Sequence, residues 1–186
     1  MVLAFRFILS PKHTKSINEH IMRPYAHWFS HQRTTDSLFR TVSFPDAIPR
    51  LGPRFHLLEE DFLKIPVPSA KAGSAQGTSY DFIVTLFFID TSLDIFATLS
   101  HIFALLRPGG TWVNLGPLLW TGGGQASAEL SLEEVLMAAK EIGFVIDKSE
   151  RGPAARRTVE CEYTSDKQAM MRWIYKAEYW VARKPE

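Results

Sequence analysis

A single cysteine, Cys161, in 186 residues excludes an internal disulfide framework and fits a reducing compartment. Set between Glu160 and Glu162, the thiol lacks the cationic neighbours that activate a nucleophile, so an inert side chain is the plainer reading. An excess of either charge is missing too. Lys+Arg 21 against Asp+Glu 20 leaves +1, so neither nucleic acid nor an anionic membrane is expected as a partner. No apolar run is long enough to span a bilayer, and the opening MVLAFRFIL is short, broken by Arg6 and without a small-residue cleavage pattern. A cytoplasmic protein is therefore expected, with the nucleus also open to it. Internal repeats are lacking. His27 and His31 stand four apart without a third ligand at suitable spacing, so packing or surface roles fit them better than a metal site.

What is present reads as one α/β unit. Ile17, Ile21, Tyr25 and Trp28 recur at helical spacing from Pro11 to about Phe29, and Thr34 to Phe39 suggests a second short helix. Together they predict an N-terminal helical element at about residues 11–40. The three prolines between Ser43 and Pro53 predict a loop, RFHLL from Arg54 a short strand, and the small, polar stretch Val67 to Ser79 a surface excursion. Phe82 to Ile89, nearly all apolar, fits a strand buried on both faces of a parallel sheet. Ile95, Leu99, Ile102, Phe103 and Leu106 form the apolar face of a helix ending before Pro108-Gly109-Gly110, and Thr111 to Gly116 returns as a strand. Ser131 and Glu134 form a capping-box pattern for a helix from Leu132 to Ile142, closed by Gly143. Phe144 to Asp147 and Ala177 to Ala182 complete the expected strands. This alternation implies right-handed crossovers and a mostly parallel sheet.

In open α/β sheets, ligands bind beyond the carboxyl ends of the strands. Asp90, Gly116 and Pro117 fall at such ends. Asp90 has two readings on this ground: a helix cap working with Thr91 and Ser92, or a functional carboxylate in the crevice.

Tyr80-Asp81-Phe82-Ile83 opening a strand, then a helix and LLRPGG, resembles the second half of a Rossmann-like, class I S-adenosylmethionine-dependent methyltransferase. PYAHWFSHQR at 24–33, SFPD at 43–46, FFIDT at 87–91, RPGGTWVNLGPLLW at 107–120, ELSLEEV at 129–135 and the tail from Met170 narrow the likeness. Together they are similar to the carnosine N-methyltransferase family, which methylates the imidazole of a histidine dipeptide to give anserine. The likeness runs from about residue 5 to the end of the chain.

The resemblance implies S-adenosyl-L-methionine as cofactor and carnosine or a related small imidazole compound as substrate, and it leaves homo-oligomerisation open. It places Asp61 and Phe62 at the cofactor's adenine, Asp90 as the aspartate that holds the imidazole, and Tyr175 near the same substrate. Asn114, Gly116 and Pro117 match the segment shaping the pocket floor. Two departures stand out. The family's GxGxGR cofactor loop has no counterpart, since Gly122-Gly123-Gly124 follows a later strand and lacks that spacing. Where the family has a substrate-contacting histidine after GPLLW, this chain has Thr121. The whole chain, 1–186, thus reads as a single partial domain of that fold, lacking its first two strands and glycine loop. With an implied strand order of 3-2-1-4-5-7-6, the strand from Phe82 becomes an open edge, which invites pairing with another chain. The alternative reading is a catalytically inactive paralogue acting as a binding or regulatory module.

Overall fold

The computed structural model describes residues 2–27, 30–48, 52–68, 79–120, 125–146, 152–163 and 166–186. Its contacts form two compact units, one of residues 1–60 with 164–173, the other of 61–163 with 174–186.

In the first unit, helix α1 (Val2–Leu9) precedes strand β1 (His20–Met22), and helix α2 (Thr35–Phe39) precedes strand β2 (Val42–Phe44), which pairs antiparallel with β1. The helix expected from Pro11 to Phe29 does not form among its described residues. Ile17 and Ile21 are exposed, Asn18 sits at φ 55°, and the Glu19 carboxylate accepts the N–H groups of Lys15 (2.5 Å) and Ser16 (3.1 Å), a local turn that competes with helix. Trp28 lies outside the described residues. The second short helix is present as α2, with Thr34 as its N-cap accepting from Ser37 N–H. Ser43 and Phe44, expected in a loop, belong to β2. RFHLL forms no strand; Phe55, Leu57 and Leu58 remain exposed. The expected excursion at 67–79 falls mostly outside the described residues.

Arg40 organises this unit. Its guanidinium lies 3.7 Å from the centroid of the Tyr25 ring, donates to Ser37 O (2.7 Å) and Gln32 Oε1 (3.3 Å), and pairs with Asp166. Arg40 holds the Asp166 carboxyl down at about 2, helped by donors from Gln32 Nε2 and Gln168 N–H.

The second unit is an α/β layer. After a 3-10 turn (Phe62–Lys64) come strand β3 (Tyr80–Leu86), a second 3-10 turn (Ile89–Thr91), helix α3 (Ile95–Leu105), strand β4 (Leu106–Gly116), helix α4 (Leu132–Ile142), and strands β5 (Val145–Ile146), β6 (Arg157–Tyr163) and β7 (Trp173–Arg183). The sheet order is β3-β4-β7-β5, with β6 also on β7. This reproduces the 4-5-7-6 stretch implied by the resemblance. The sheet is mixed rather than mostly parallel: β3 and β4 are parallel, whereas β7 runs antiparallel to β4 and β5. Helix α4 has the anticipated capping box and Gly143 at φ 119°.

Both helices pack on one sheet face. Ile95, Leu99 and Ile102 of α3 and Val135, Leu136 and Ala139 of α4 meet Trp112, Trp180, Ala182 and Ile146 in one core. A buried polar chain runs across that face: Trp112 Nε1 donates to Thr85 Oγ1 (2.8 Å), Thr85 donates to Asn114 Oδ1 (2.7 Å), and Asn114 Nδ2 donates to Glu178 O (3.4 Å). The other face of β3 is bare, so the strand is not buried on both faces: Phe82, Val84 and Leu86 are 68%, 57% and 61% exposed. After β7, Lys184 Nζ donates to Phe103 O (2.9 Å) and Leu106 O (2.8 Å), closing the carboxyl end of α3 with a cation.

Lys184→Met should lower unfolding free energy by about 1–3 kcal/mol, read by urea denaturation, because two carbonyls lose a charged donor. Asp166→Asn should cost about 1–2 kcal/mol at neutral pH, allowing for solvent at the edge of the ion pair. Its folded pKa is depressed, so this stability is present above the unfolded value. It fades as pH falls toward about 2, where parent and variant should converge.

Candidate functional site

The chain turns sharply where β3 ends. Phe87 adopts φ 49°, a left-handed backbone uncommon for a bulky residue, and its N–H donates to Leu115 O at 2.8 Å. Gly116 on β4 makes the turn possible. A Cβ there would stand 3.1 Å from Phe87 Cα and 3.2 Å from its N.

That turn delivers Asp90 into the second 3-10 turn, where it is only 6% exposed. Its Oδ2 accepts the Leu119 N–H at 3.1 Å. Burial pushes its carboxyl pKa up, and the Leu119 N–H works in the opposite direction. Asp90 does not cap α3: that role belongs to Asp94, which accepts from Ala97 N–H at 2.9 Å.

Because β7 is antiparallel to β4, its amino-terminal half lies beside the carboxyl end of β4, with Gly116 opposite Glu178. Tyr175 enters from there. Its ring meets Phe87 edge to face at 5.8 Å and Tyr163 of β6 at 5.4 Å. Sequence reasoning missed Phe87, Tyr163 and the Leu119 N–H. The alternation of Val159, Cys161 and Tyr163 with polar residues was the available signal for β6; a backbone donor leaves none.

Phe62 packs against Phe88 and against His101, each at 5.1 Å, so the first 3-10 turn abuts the segment carrying Asp90. His101 Nε2 is buried there with no hydrogen-bond partner. Asp61 is exposed, caps its own turn through Leu63 N–H (3.1 Å), and lies 3.5 Å from Lys64. Asn114, expected at the pocket floor, is instead fully buried on the sheet face covered by α3 and α4, with its amide engaged by Thr85 and Glu178. Pro117 is half-buried just beyond Gly116. Thr121 lies outside the described residues.

A family model described as carnosine N-methyltransferase matches residues 1–186. The chain belongs to the carnosine N-methyltransferase family. Relatives include the carnosine N-methyltransferase of Schizosaccharomyces pombe, 32% identical over 98% of this chain and 50% of its own length. Those of Drosophila melanogaster and Mus musculus are each 30% identical over the whole chain, covering 39% and 44% of their own lengths. The chain thus spans half or less of the relatives it matches. A crystal structure of a SAM-dependent methyltransferase from Methanosarcina mazei superposes with a TM-score of 0.41 at 15% identity, covering 59% of this chain and 61% of that one.

Gly116→Ala should destabilise the fold by about 1–3 kcal/mol in a denaturant titration, since both atoms that a Cβ would meet are backbone. Asp90→Asn should leave Tm unchanged or raise it at neutral pH. A carboxyl whose folded pKa is raised favours the fold below its unfolded pKa and loses that contribution as pH rises through the folded value. Any Tm advantage of the variant should therefore shrink in acid.

Proposed function

We propose that this chain forms the acceptor-binding part of an S-adenosylmethionine-dependent N-methyltransferase acting on the imidazole of carnosine, with anserine as product. The observation that carries this reading is the buried Asp90 carboxylate at the carboxyl end of β3, in a chain matched throughout by the family.

An imidazole nitrogen can accept a methyl group only when it is unprotonated. Free imidazole has a pKa near ~6.5, so much of it is neutral at physiological pH and no strong base is needed. Asp90 accepts the ring N–H, which fixes the tautomer and leaves the lone pair on the opposite nitrogen. Burial strengthens that bond, and the Leu119 N–H helps to hold the carboxylate in place. Phe87 and Tyr175 supply an aromatic wall against which a flat ring can rest. The gain is orientation, for which effective molarities reach roughly 10⁵ M or more.

S-adenosylmethionine, when bound, supplies a methyl group on a positively charged sulfur. The residues present fit its adenine end: Asp61 offers an exposed acceptor, Phe62 an aromatic surface, and His101 an unpartnered buried nitrogen beside that ring. The glycines with positive φ among the described residues, Gly109, Gly143 and Gly152, stand far apart in the chain and make no glycine-rich loop for close backbone approach to its methionine end. Thr121 is a smaller residue than the family's histidine, and the inactive binding module stays as the second reading on that ground. The cytoplasm, with the nucleus also open, is the proposed location, on the strength of the lone cysteine.

The test is a chimera in which this chain replaces the matching part of the fission yeast relative. It should convert carnosine to anserine by mass spectrometry, and Asp90→Asn should lower kcat/KM roughly tenfold or more, as loss of a charged acceptor implies. A chimera that binds S-adenosylmethionine yet methylates no imidazole compound would favour the binding module. Equal turnover by a folded Asp90→Asn chimera would remove Asp90 from the acceptor site.

A further inference from the structure

Three hydrogen bonds hold the segment that runs from β4 to α4. Leu119 N–H donates to Asp90 Oδ2 at 3.1 Å, Ser127 N–H donates to Leu93 O at 2.8 Å, and Trp120 Nε1 donates to Leu130 O at 2.9 Å. The first two tie the segment to the stretch between β3 and α3. The third closes the segment on itself across ten residues, one position before the Ser131 cap of α4.

Residues 118–120 alternate in burial. Leu118 and Trp120 pack against the core under α3 and α4, whereas the Leu119 side chain turns outward and is 60% exposed. Leu119 therefore has little packing of its own to aim its N–H, and the aim is set by the neighbours on either side. Leu118 contributes only apolar contact, which has no direction. Trp120 contributes contact and a directional bond, with an acceptor that the capping box of α4 holds next door. The Leu119 N–H in turn matters because a carboxylate taken out of water is costly unless donors meet it. We propose that Trp120 is a positioning residue of the acceptor site: its indole bond to Leu130 O locks the segment so that the Leu119 N–H keeps the Asp90 carboxylate in place for the acceptor ring. This rests on the reading of Asp90 as the acceptor's anchor. Trp120 acts through Asp90 and need not touch the acceptor.

The experiment compares the 186-residue chain with Trp120→Phe, which keeps an aromatic ring and loses the donor. Tm should fall by only about 2–4 °C, as expected for one neutral hydrogen bond. By NMR, the Leu119 amide should exchange roughly tenfold faster or more, through easier local opening. The Asp90 carboxyl carbon should titrate at higher pH: burial raises that pKa, and the Leu119 N–H is the stronger of the backbone donors that lower it. Benzothienylalanine in place of Trp120 keeps the ring's size and replaces only its N–H by sulfur. It should give the same two changes, even where the Phe variant folds poorly. Lys184→Met, which loosens the opposite end of α3, should give neither. In the chimera with the fission yeast relative, Trp120→Phe should lower kcat/KM for carnosine roughly threefold or more, and should cost nothing further once Asp90→Asn is present. An unchanged Leu119 exchange rate would overturn the inference, as would an equal loss of kcat/KM with and without the Asp90 carboxylate. Exchange and titration involve no methyl transfer, so a chimera inert toward carnosine counts against the acceptor reading, while the tether itself is decided by NMR.

Discussion

One hydroxyl group sets the register of the sheet. Thr85 on β3 accepts from the Trp112 indole and donates to Asn114, both on β4, and Asn114 donates to the backbone of β7. Three strands are joined by a chain in which each named donor has found an acceptor, sealed beneath α3 and α4. Because side chains alternate between faces, a slip of one residue would expose Trp112 and strand these polar groups in the apolar layer. The positions of Phe87, Gly116 and Asp90 follow from this register, since Gly116 accommodates the Phe87 turn only when Leu115 stands opposite Leu86.

The site therefore sits at the boundary between a rigid sheet and an unfavourable local arrangement. A left-handed phenylalanine and a desolvated carboxylate each oppose stability, and both occur within four residues after β3. The core under α3 and α4 offsets them. Such a division is usual where a polar group is kept dry so that it can grip a ligand.

Much of the second unit was legible in the chain. Leu132 to Ile142 announced itself through Ser131, Glu134 and Gly143, because caps are local chemistry and their signals lie within a few residues. The strand-end location of Asp90 and Gly116 was equally readable, and the family likeness gave the strand order. The misjudged parts depend on distant partners. Ile17 and Ile21 have helical spacing, yet no core lies under them and Glu19 binds the backbone instead. β1 and β2 are three-residue strands that exist through each other. The orientation of β7 depends on how β6 returns the chain, and no periodicity reports direction. Phe82 looked fully buried because its neighbours are apolar on both sides, which describes what the strand is suited to rather than what covers it here.

The antiparallel β7 lies between β4 and β5 although it follows both in the chain. During synthesis, Trp112 and Asn114 emerge long before Ala182 and Trp180, their partners on β7. Until β7 arrives, the middle of the sheet is a gap, and the aromatic face of β4 has only the helices to shelter it. Pairings this remote along the chain are slow to close. The nascent protein thus passes through a stage in which the apolar edges of β4 and β3 stand open together, exposed to mispairing until the last strand of the sheet is made.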